Sequence, residues 1–244
     1  FASRMDMTAS ETVFNDDSKD LDFRVESDGN THMLFVDGGN NNVGIGVTNP
    51  ASYDAEANNL VVVSSDHTGI TIASTGTDKR TNLYFSDGTS GTAAYIGGFS
   101  YDHSNNNMLI RTGGTERMRI DSSGNVLVGK TSANSDTAGF EANASGFTAA
   151  TRSNGTVFVM DRLVSDGTII DFRKANTSVG SIGAGSSRIA IGSGDTFLTF
   201  AGDLDAVYPA SSSSTTPRDN AIDIGTSGTR FDDIFATNGT IQTS

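Results

Sequence analysis

The sequence predicts an all-β fold with little or no helix, and three observations lead to that prediction. Short runs alternate apolar and polar residues, as half-buried strands do. Gly, Asn and Asp close most of these runs, and Asp-Gly pairs are typical of tight hairpin turns. No window of eleven or more residues keeps apolar side chains at helical three-and-four spacing. We therefore expect short antiparallel hairpins and small β units along the chain.

The strands follow from this alternation in chain order. The main predicted strands are 21–25, 32–36, 83–86, 108–111, 117–121, 126–128, 156–160, 168–173, 188–191 and 197–200. The pairs Asp28-Gly29 and Asp37-Gly38 separate the first strands, as type I′ turns would. A single helical turn is expected after Asn49, because Asn can cap a helix and Pro suits its first position.

A weak internal repeat links two of the predicted hairpins. Residues Thr31–Val47 align with Thr115–Gly129, and each copy ends in a strand rich in Val and Gly. Leu, Ile, Val and Phe together only slightly exceed the roughly 20% at which chains begin to look disordered. Three identical chains around one axis would let each strand bury one face against its neighbours. We therefore expect an elongated, intertwined homotrimeric fibre.

Composition excludes several classes of protein. Sixteen Lys and Arg against 29 Asp and Glu give a net charge of −13, which repels nucleic acid and anionic lipid. The chain has no Cys, so disulfides, zinc ribbons and Cys nucleophiles are excluded. No stretch approaches the roughly 18 apolar residues of a membrane span, so we expect no membrane insertion. No cofactor and no metal are predicted.

Clusters of Ser, Thr, Asn and Pro divide the chain, because such clusters favour loops. The clearest clusters are Thr131–Ser135 and Ser211–Pro217. The chain opens at Phe1 without an initiator Met or an apolar signal core, which predicts a segment excised from a longer protein. The expected regions are an N-terminal connector at 1–20, a repeated β-hairpin region at 21–134, a second β region at 135–210 and a C-terminal stem at 211–244.

Four stretches together resemble the distal fibres and tailspikes of bacteriophages that carry a C-terminal, self-cleaving intramolecular chaperone. They are GTERMRIDSSGNVLVG (Gly114–Gly129), LYFSDGTSGTAAYIGGFSYDHSNN (Leu83–Asn106), GTIIDFRKANTSVGSIG (Gly167–Gly183) and DNAIDIGTSGTRFDDIFATNGTIQTS (Asp219–Ser244). The last is the sharpest signal. In the family a similar segment stands immediately before a Ser-Asp bond that the chaperone cuts after helping the trimer to assemble.

This resemblance implies that the chain is the mature product of self-processing, with its chaperone removed. Ser244 resembles the cleavage-site Ser of the family, a nucleophile whose base belongs to the chaperone. The resemblance also implies a virion tail or surface fibre that attaches to a bacterial surface glycan or outer-membrane protein. Other virion proteins would join it at the missing N-terminal side. Three weak sites on a trimer suffice for such attachment, because several fibres act together.

Two other functions stay open at this stage. A polysaccharide depolymerase needs two carboxylates across a cleft and aromatic platforms for sugar rings. The carboxylate pairs that could share a strand face are Asp203 with Asp205 and Asp20 with Asp22. Nothing distinguishes them from the other acidic residues, and the chain has no Trp, so we expect no enzyme. The second alternative is a purely structural spacer or decoration fibre.

Possible ligand-binding residues have simpler structural interpretations. The three imidazoles are those of His32, His67 and His103, and none lies in an HxH or HxxxH pattern. Oxygen-rich turns at Asp37 with 40–42 and at Asp102 with 104–107 either hold Ca²⁺ or cap their own backbone. The second interpretation is favoured, because the EF-hand pattern with its terminal Glu is missing.

Three further features concern surfaces. Gly44–Gly46 and Gly183–Gly185 are predicted to be strand glycines where chains approach the axis, since no P-loop Lys follows them. Arg117 and Arg119 are expected on one strand face, paired with acidic residues of another chain. Exposed turns such as Tyr95–Asn107 are candidates for receptor contact by position alone.

Overall fold

The structure, a computed structural model, describes residues 5–7, 12–14, 20–219 and 221–232. The described residues fold as β-sheet, with two short 3₁₀ turns at Pro50–Ser52 and Gly91–Tyr95. The turn after Asn49 confirms the single helical turn expected there. The chain divides into two compact units, residues 1–133 with 142–147 and residues 134–141 with 148–244. The all-β prediction is confirmed.

The first unit begins with a two-stranded ribbon and a four-stranded sheet. The strands are β1 (Met5–Met7), β2 (Thr12–Phe14), β3 (Phe23–Val25), β4 (Leu34–Asp37), β5 (Asn42–Ile45) and β6 (Leu60–Val62). The first two strands pair with each other, and the sheet has the order β3-β4-β5-β6. The last pair is parallel, which corrects the expectation of antiparallel hairpins throughout. The connection that contains the 3₁₀ turn separates β5 from β6, as a parallel pair requires a crossover.

The rest of the first unit supplies five consecutive antiparallel strands of a seven-stranded sheet. These are β7 (Arg80–Phe85), β8 (Gly97–Asp102), β9 (Asn107–Thr112), β10 (Thr115–Ile120) and β11 (Val126–Val128). Gly113 and Gly114 both have positive φ and form the two-residue turn between β9 and β10. The aligned repeats are confirmed as hairpins, because one contains β4 and β5 and the other contains β10 and β11.

Two short strands, β12 (Gly139–Ala142) and β13 (Thr148–Thr151), complete the seven-stranded sheet and precede the sheet of the second unit. That sheet is a five-stranded antiparallel meander. Its strands are β14 (Gly167–Lys174), β15 (Thr177–Gly185), β16 (Arg188–Ser193), β17 (Thr196–Ala201) and β18 (Ala206–Ala210). The β14–β15 turn places Ala175 and Asn176 at positive φ, a geometry in which Asn is common.

One predicted strand is wrong. Residues 156–160 form no strand, and they make no backbone hydrogen bond to another part of the described chain. The remaining predicted strands overlap observed ones. The strand prediction missed β6, β8, β12, β13, β15 and β18. Two of them, β8 and β15, are rich in glycine, which removes the apolar alternation on which the prediction depends.

Candidate functional site

The β14–β18 sheet has one face built almost entirely of apolar side chains. Strand register places its members directly opposite one another in two rows. The rows are Ile170–Ile182–Ile191–Leu198–Pro209 and Gly167–Ala184–Ile189–Phe200–Val207. We call these residues the third apolar face. Aliphatic and aromatic cross-strand pairs of this kind normally face a core.

This face is open to solvent, whereas the opposite face is buried. Leu198 is 47% exposed and Val207 is 59% exposed. On the opposite face Ala190 and Thr199 are fully buried. The buried face thus holds Phe197 among small and polar side chains, whereas most of the large apolar side chains of the sheet lie on the solvent-exposed face.

The loop Ser211–Pro217 covers the small-residue face. Its Ser213 hydroxyl lies 2.8 Å from that of Thr168, and the Tyr208 hydroxyl donates to the Thr215 carbonyl oxygen at 3.4 Å. Gly183 leaves the room that this loop occupies, since an added Cβ would meet the Ser213 carbonyl oxygen at 2.3 Å. Gly183 and Gly185, predicted to allow close approach of other chains, thus allow close approach of a loop of the same chain.

The β7–β11 sheet repeats this sidedness in the other unit. Its apolar face carries two rows of opposed residues. The rows are Leu83–Phe99–Ile110–Met118–Val128 and Thr81–Tyr101–Met108–Ile120–Val126. We call them the second apolar face, on which Leu83 is 50% exposed and Phe99 is 45% exposed.

The opposite face of this sheet is held by ion pairs around two buried leucines, Leu109 and Leu127. Arg80 donates through Nη2 to Asp102 at 2.7 Å, and Arg119 donates through Nε to Glu116 at 2.6 Å. The Glu116 partner corrects the expectation that Arg119 pairs with another chain. Arg117 likewise finds a partner within the chain, because its Nε donates to the Thr112 hydroxyl at 3.3 Å.

Among these groups, the carboxylate of Asp102 has the most strongly lowered pKa. The Ser104 hydroxyl and then the Arg80 guanidinium hydrogen-bond to it and hold its pKa well below the usual range. The Asp102 side chain is only 6% exposed, so the ion pair is not an ordinary surface pair. A carboxylate with a lowered pKa stabilises the fold above its unfolded pKa of about 4, and that contribution is lost as pH falls below it.

Replacing Asp102 by Asn should lower the free energy of unfolding at pH 7 by about 1–3 kcal/mol, because hydrogen bonds to a charged group are lost. The cost should shrink at pH 2–3, because the carboxyl is then protonated in the unfolded chain and folding must ionise it. Urea unfolding of both forms at the two pH values measures this. Asp28→Asn is the control, since the Asp28 carboxylate makes no hydrogen bond among the described residues. An equal cost at both pH values would contradict the assignment.

The four-stranded sheet of β3–β6 shows the same sidedness a third time. One face carries the side chains Phe23, Val25, Leu34, Val36, Val43, Ile45, Leu60 and Val62. We call it the first apolar face, and Leu60 on it is 55% exposed. The other face buries Phe35 and Val61 together with the polar pair Asp37 and Asn42.

One member of each carboxylate pair considered for a depolymerase, Asp203 and Asp22, makes structural hydrogen bonds. Asp203 accepts two hydrogen bonds from Arg188, from Nε at 2.8 Å and from Nη2 at 2.6 Å. These bonds lower the pKa of Asp203, which is the opposite of what a general acid requires. Asp205 lies in a turn at positive φ. Asp22 accepts from the Gly38 amide at 3.1 Å, so it caps a turn.

In each oxygen-rich turn, the Asp side chain accepts hydrogen bonds from a residue of the same turn. Asp37 accepts from the backbone and side-chain nitrogens of Asn40, which lowers the pKa of Asp37. Asp102 accepts from the backbone amide and the hydroxyl of Ser104 in the same way. Within the described ranges, no group of three or more His, Asp or Glu side chains is placed to hold a metal ion. The described turn at Asp37 is thus explained by backbone capping.

The histidines lie at separate places in the fold. His32 Nδ1 lies 2.9 Å from the Thr31 hydroxyl, and the His103 ring meets Tyr101 edge-on at 4.9 Å between centroids. His67 lies 3.9 Å from Asp66 on the surface. Ser244, predicted to be the processing residue, falls outside the described residues. In the part of the chain that the structure covers, no helix has both the length and the apolar character needed to cross a membrane.

Comparisons with protein-family models, with curated proteins and with solved structures yield no match to this chain. The functional candidate is therefore the set of three apolar faces. The sequence predicted that most residues of these faces lie in strands. It did not show which face of each sheet would be exposed to solvent. The nearest signal was the small apolar fraction of the chain, 35%. That fraction indicated a missing core.

Proposed function

We propose that this chain is a subunit of a homotrimeric fibre in which the three apolar faces are buried between copies. The observation that carries the proposal is that all three sheets expose most of their large apolar side chains on one face. Among the described residues 36 large hydrophobic side chains are exposed, whereas the buried apolar set has eight members and three of these are Ala. A soluble chain cannot keep so many apolar groups in water without a partner that covers them.

The third apolar face alone supplies more than half of the area that one partner buries in a standard interface. At roughly 200 Å² for a fully exposed large side chain, Ile189, Ile191, Leu198, Phe200 and Val207 leave on the order of 500 Å² of the third apolar face open. A standard interface buries about 800 Å² on each partner, and large single patches on monomers reach about 600 Å². Three such faces on one chain exceed what a monomer exposes.

A second copy of the chain is the partner that fits these faces best. A copy carries the same three faces in the same chain order, so one symmetry operation can cover all of them. The number three comes from the resemblance to bacteriophage fibres. Burial of the apolar faces would leave the ion-paired faces and the turns on the outside of an elongated, intertwined trimer.

The trimer would then act as a virion tail or surface fibre that attaches a bacteriophage to its host. Four stretches of sequence support this role by their resemblance to such fibres. The ligand would be a bacterial surface glycan or an outer-membrane protein, and polyvalent contact would compensate for weak single sites. In this role the chain is not an enzyme, and Ser244 marks only the junction at which the chaperone was removed.

Binding of the labelled protein to a panel of bacterial strains tests attachment. We expect saturable binding to at least one strain, blocked by excess unlabelled protein and weakened at least tenfold when the oligomer is dissociated. The same background on every strain and on bare beads would contradict attachment and favour a spacer. If capsular polysaccharide is shortened during the incubation, the result contradicts attachment without enzyme activity and indicates a depolymerase.

A further inference from the structure

The chain segment after β13 contains an Asn-Gly pair, Asn154-Gly155, that is open to solvent. The chain has two Asn-Gly pairs, and the other, at 238–239, falls outside the described residues. Residues 152–160 are all exposed, and Gly155 has a φ of +89°. L side chains rarely adopt that φ, so the backbone requires glycine here. Because glycine has no Cβ, its backbone nitrogen is also the one that the preceding side chain reaches most easily.

Neither group of this pair is engaged elsewhere. Among the described residues, the Asn154 carboxamide makes no hydrogen bond, and the Gly155 amide donates none. Other carboxamides are held in place, since that of Asn40 donates to Asp37 and that of Asn125 donates to Asp121, both at 2.9 Å. The side-chain carbonyl carbon of Asn154 can therefore approach the Gly155 nitrogen without breaking a contact.

A cation lies beside the pair. The guanidinium carbon of Arg152 is 3.0 Å from the position that a Cβ on Gly155 would take. Two covalent bonds separate that position from the Gly155 nitrogen, so the guanidinium carbon lies within about 6 Å of this nitrogen. Arg152 is held there, because its Nη1 donates to the Thr156 carbonyl oxygen at 3.1 Å. A positive charge at this distance stabilises a negative charge that forms on the nitrogen.

We propose that Asn154 is a site of spontaneous deamidation, which the guanidinium of Arg152 accelerates. The Gly155 nitrogen gives its proton to hydroxide and attacks Cγ of Asn154, so that an N–Cγ bond forms. The C–N bond of the carboxamide breaks, and its nitrogen takes a proton from water and leaves as ammonia. The product is a five-membered succinimide, and nothing is oxidised or reduced.

Solvent water then opens the succinimide at one of its two carbonyl carbons. Attack at Cγ breaks the new N–Cγ bond and gives aspartate at position 154. Attack at the backbone carbonyl carbon breaks the original peptide bond and gives isoaspartate, whose main chain runs through Cγ. Either product adds one negative charge beside Arg152, and isoaspartate adds one backbone atom before Thr156. This inference goes beyond the proposed function and does not rest on the proposed assembly.

Mass spectrometry of the chymotryptic peptide Thr148–Phe158 tests the proposal after incubation of the chain at pH 7.4 and pH 8.4. We expect a peptide about 1 Da heavier, in two chromatographic forms. It should form about tenfold faster at the higher pH, because the ionised fraction of a weak acid rises tenfold per pH unit. Asn176, exposed at positive φ before Thr177, is the internal control and should stay unchanged. A peptide that keeps its mass while the chain unfolded in urea is converted would overturn the inference.

Two variants separate the reacting group from the cation. Asn154→Gln should keep its peptide mass over the same period, because its longer side chain would have to close a larger ring. Arg152→Gln should deamidate at least threefold more slowly than the parent when both are folded, and at nearly the same rate when both are unfolded in urea. Equal rates for the folded parent and the folded Arg152 variant would overturn the inference. The peptide mass is read in the same way from a single chain or an oligomer, so this failure would leave the proposed assembly intact.

Discussion

Replacing Leu198 by Glu is expected to dissociate the oligomer into single chains. Leu198 lies at the centre of the third apolar face, between Ile191 and Pro209 on the neighbouring strands. In the proposed trimer a Glu there would be an ionised group in an apolar interface, which costs several kcal/mol unless it finds a partner. Every copy carries the change, so association should weaken by on the order of a hundredfold or more. Light scattering of the purified variant measures the mass.

The matched control is Thr177→Glu, which introduces the same charge at the exposed β14–β15 turn. Thr177 pairs with Lys174 across the hairpin, so the new carboxylate has a nearby cation. This variant should keep the mass of the parent protein. Both variants should retain the far-ultraviolet spectrum of β-sheet. An unchanged mass for the Leu198 variant would show that the third apolar face is not an interface.

Replacing Gly183 by Ala is expected to destabilise the second unit without changing the apolar face. The added methyl group would lie 2.3 Å from the Ser213 carbonyl oxygen and 2.7 Å from that of Gly167, and both are backbone atoms. The loop Ser211–Pro217 must then move away from the sheet. Overpacking of this kind costs about 1–3 kcal/mol. Thermal unfolding should show a midpoint several degrees lower.

Gly202→Ala provides the control for this substitution. Gly202 lies in the turn between β17 and β18, where an added Cβ meets no atom within 4 Å. Its unfolding midpoint should stay within about one degree of the parent protein, since exposed substitutions of this kind change stability by less than about 0.5 kcal/mol. Equal midpoints for the two variants would mean that the loop does not pack on Gly183 as described.

The sequence predicted the fold class because alternation and turn residues are local signals. Arg117–Asp121 alternates polar and apolar side chains, and β10 forms there over Thr115–Ile120. The β15 strand carries glycine at 180, 183 and 185, so its pairing depends on neighbouring strands that no local pattern specifies. The predicted strand at 156–160 has the right composition, yet a strand needs a partner and this segment finds none within the described chain.

The candidate site was harder to predict for a physical reason. Alternation shows that Ile189, Ile191, Leu198 and Phe200 share a face. The sequence pattern is the same whether that face packs on an internal core or on another molecule. Only the structure shows that the loop Ser211–Pro217 covers the opposite face. The Arg119–Glu116 pair was equally hidden, because a register shift between Glu116 and Met118 brings the two side chains together. The division at 20, 134 and 210 stays a prediction.

The mass of the unmodified chain in dilute solution tests the central claim most directly. Multi-angle light scattering on the eluting peak gives that mass without reference to molecular shape. The proposed assembly predicts three times the 25.4 kDa of one chain. A folded, stable species at the mass of a single chain would contradict it, because three apolar sheet faces would then persist in water without cover.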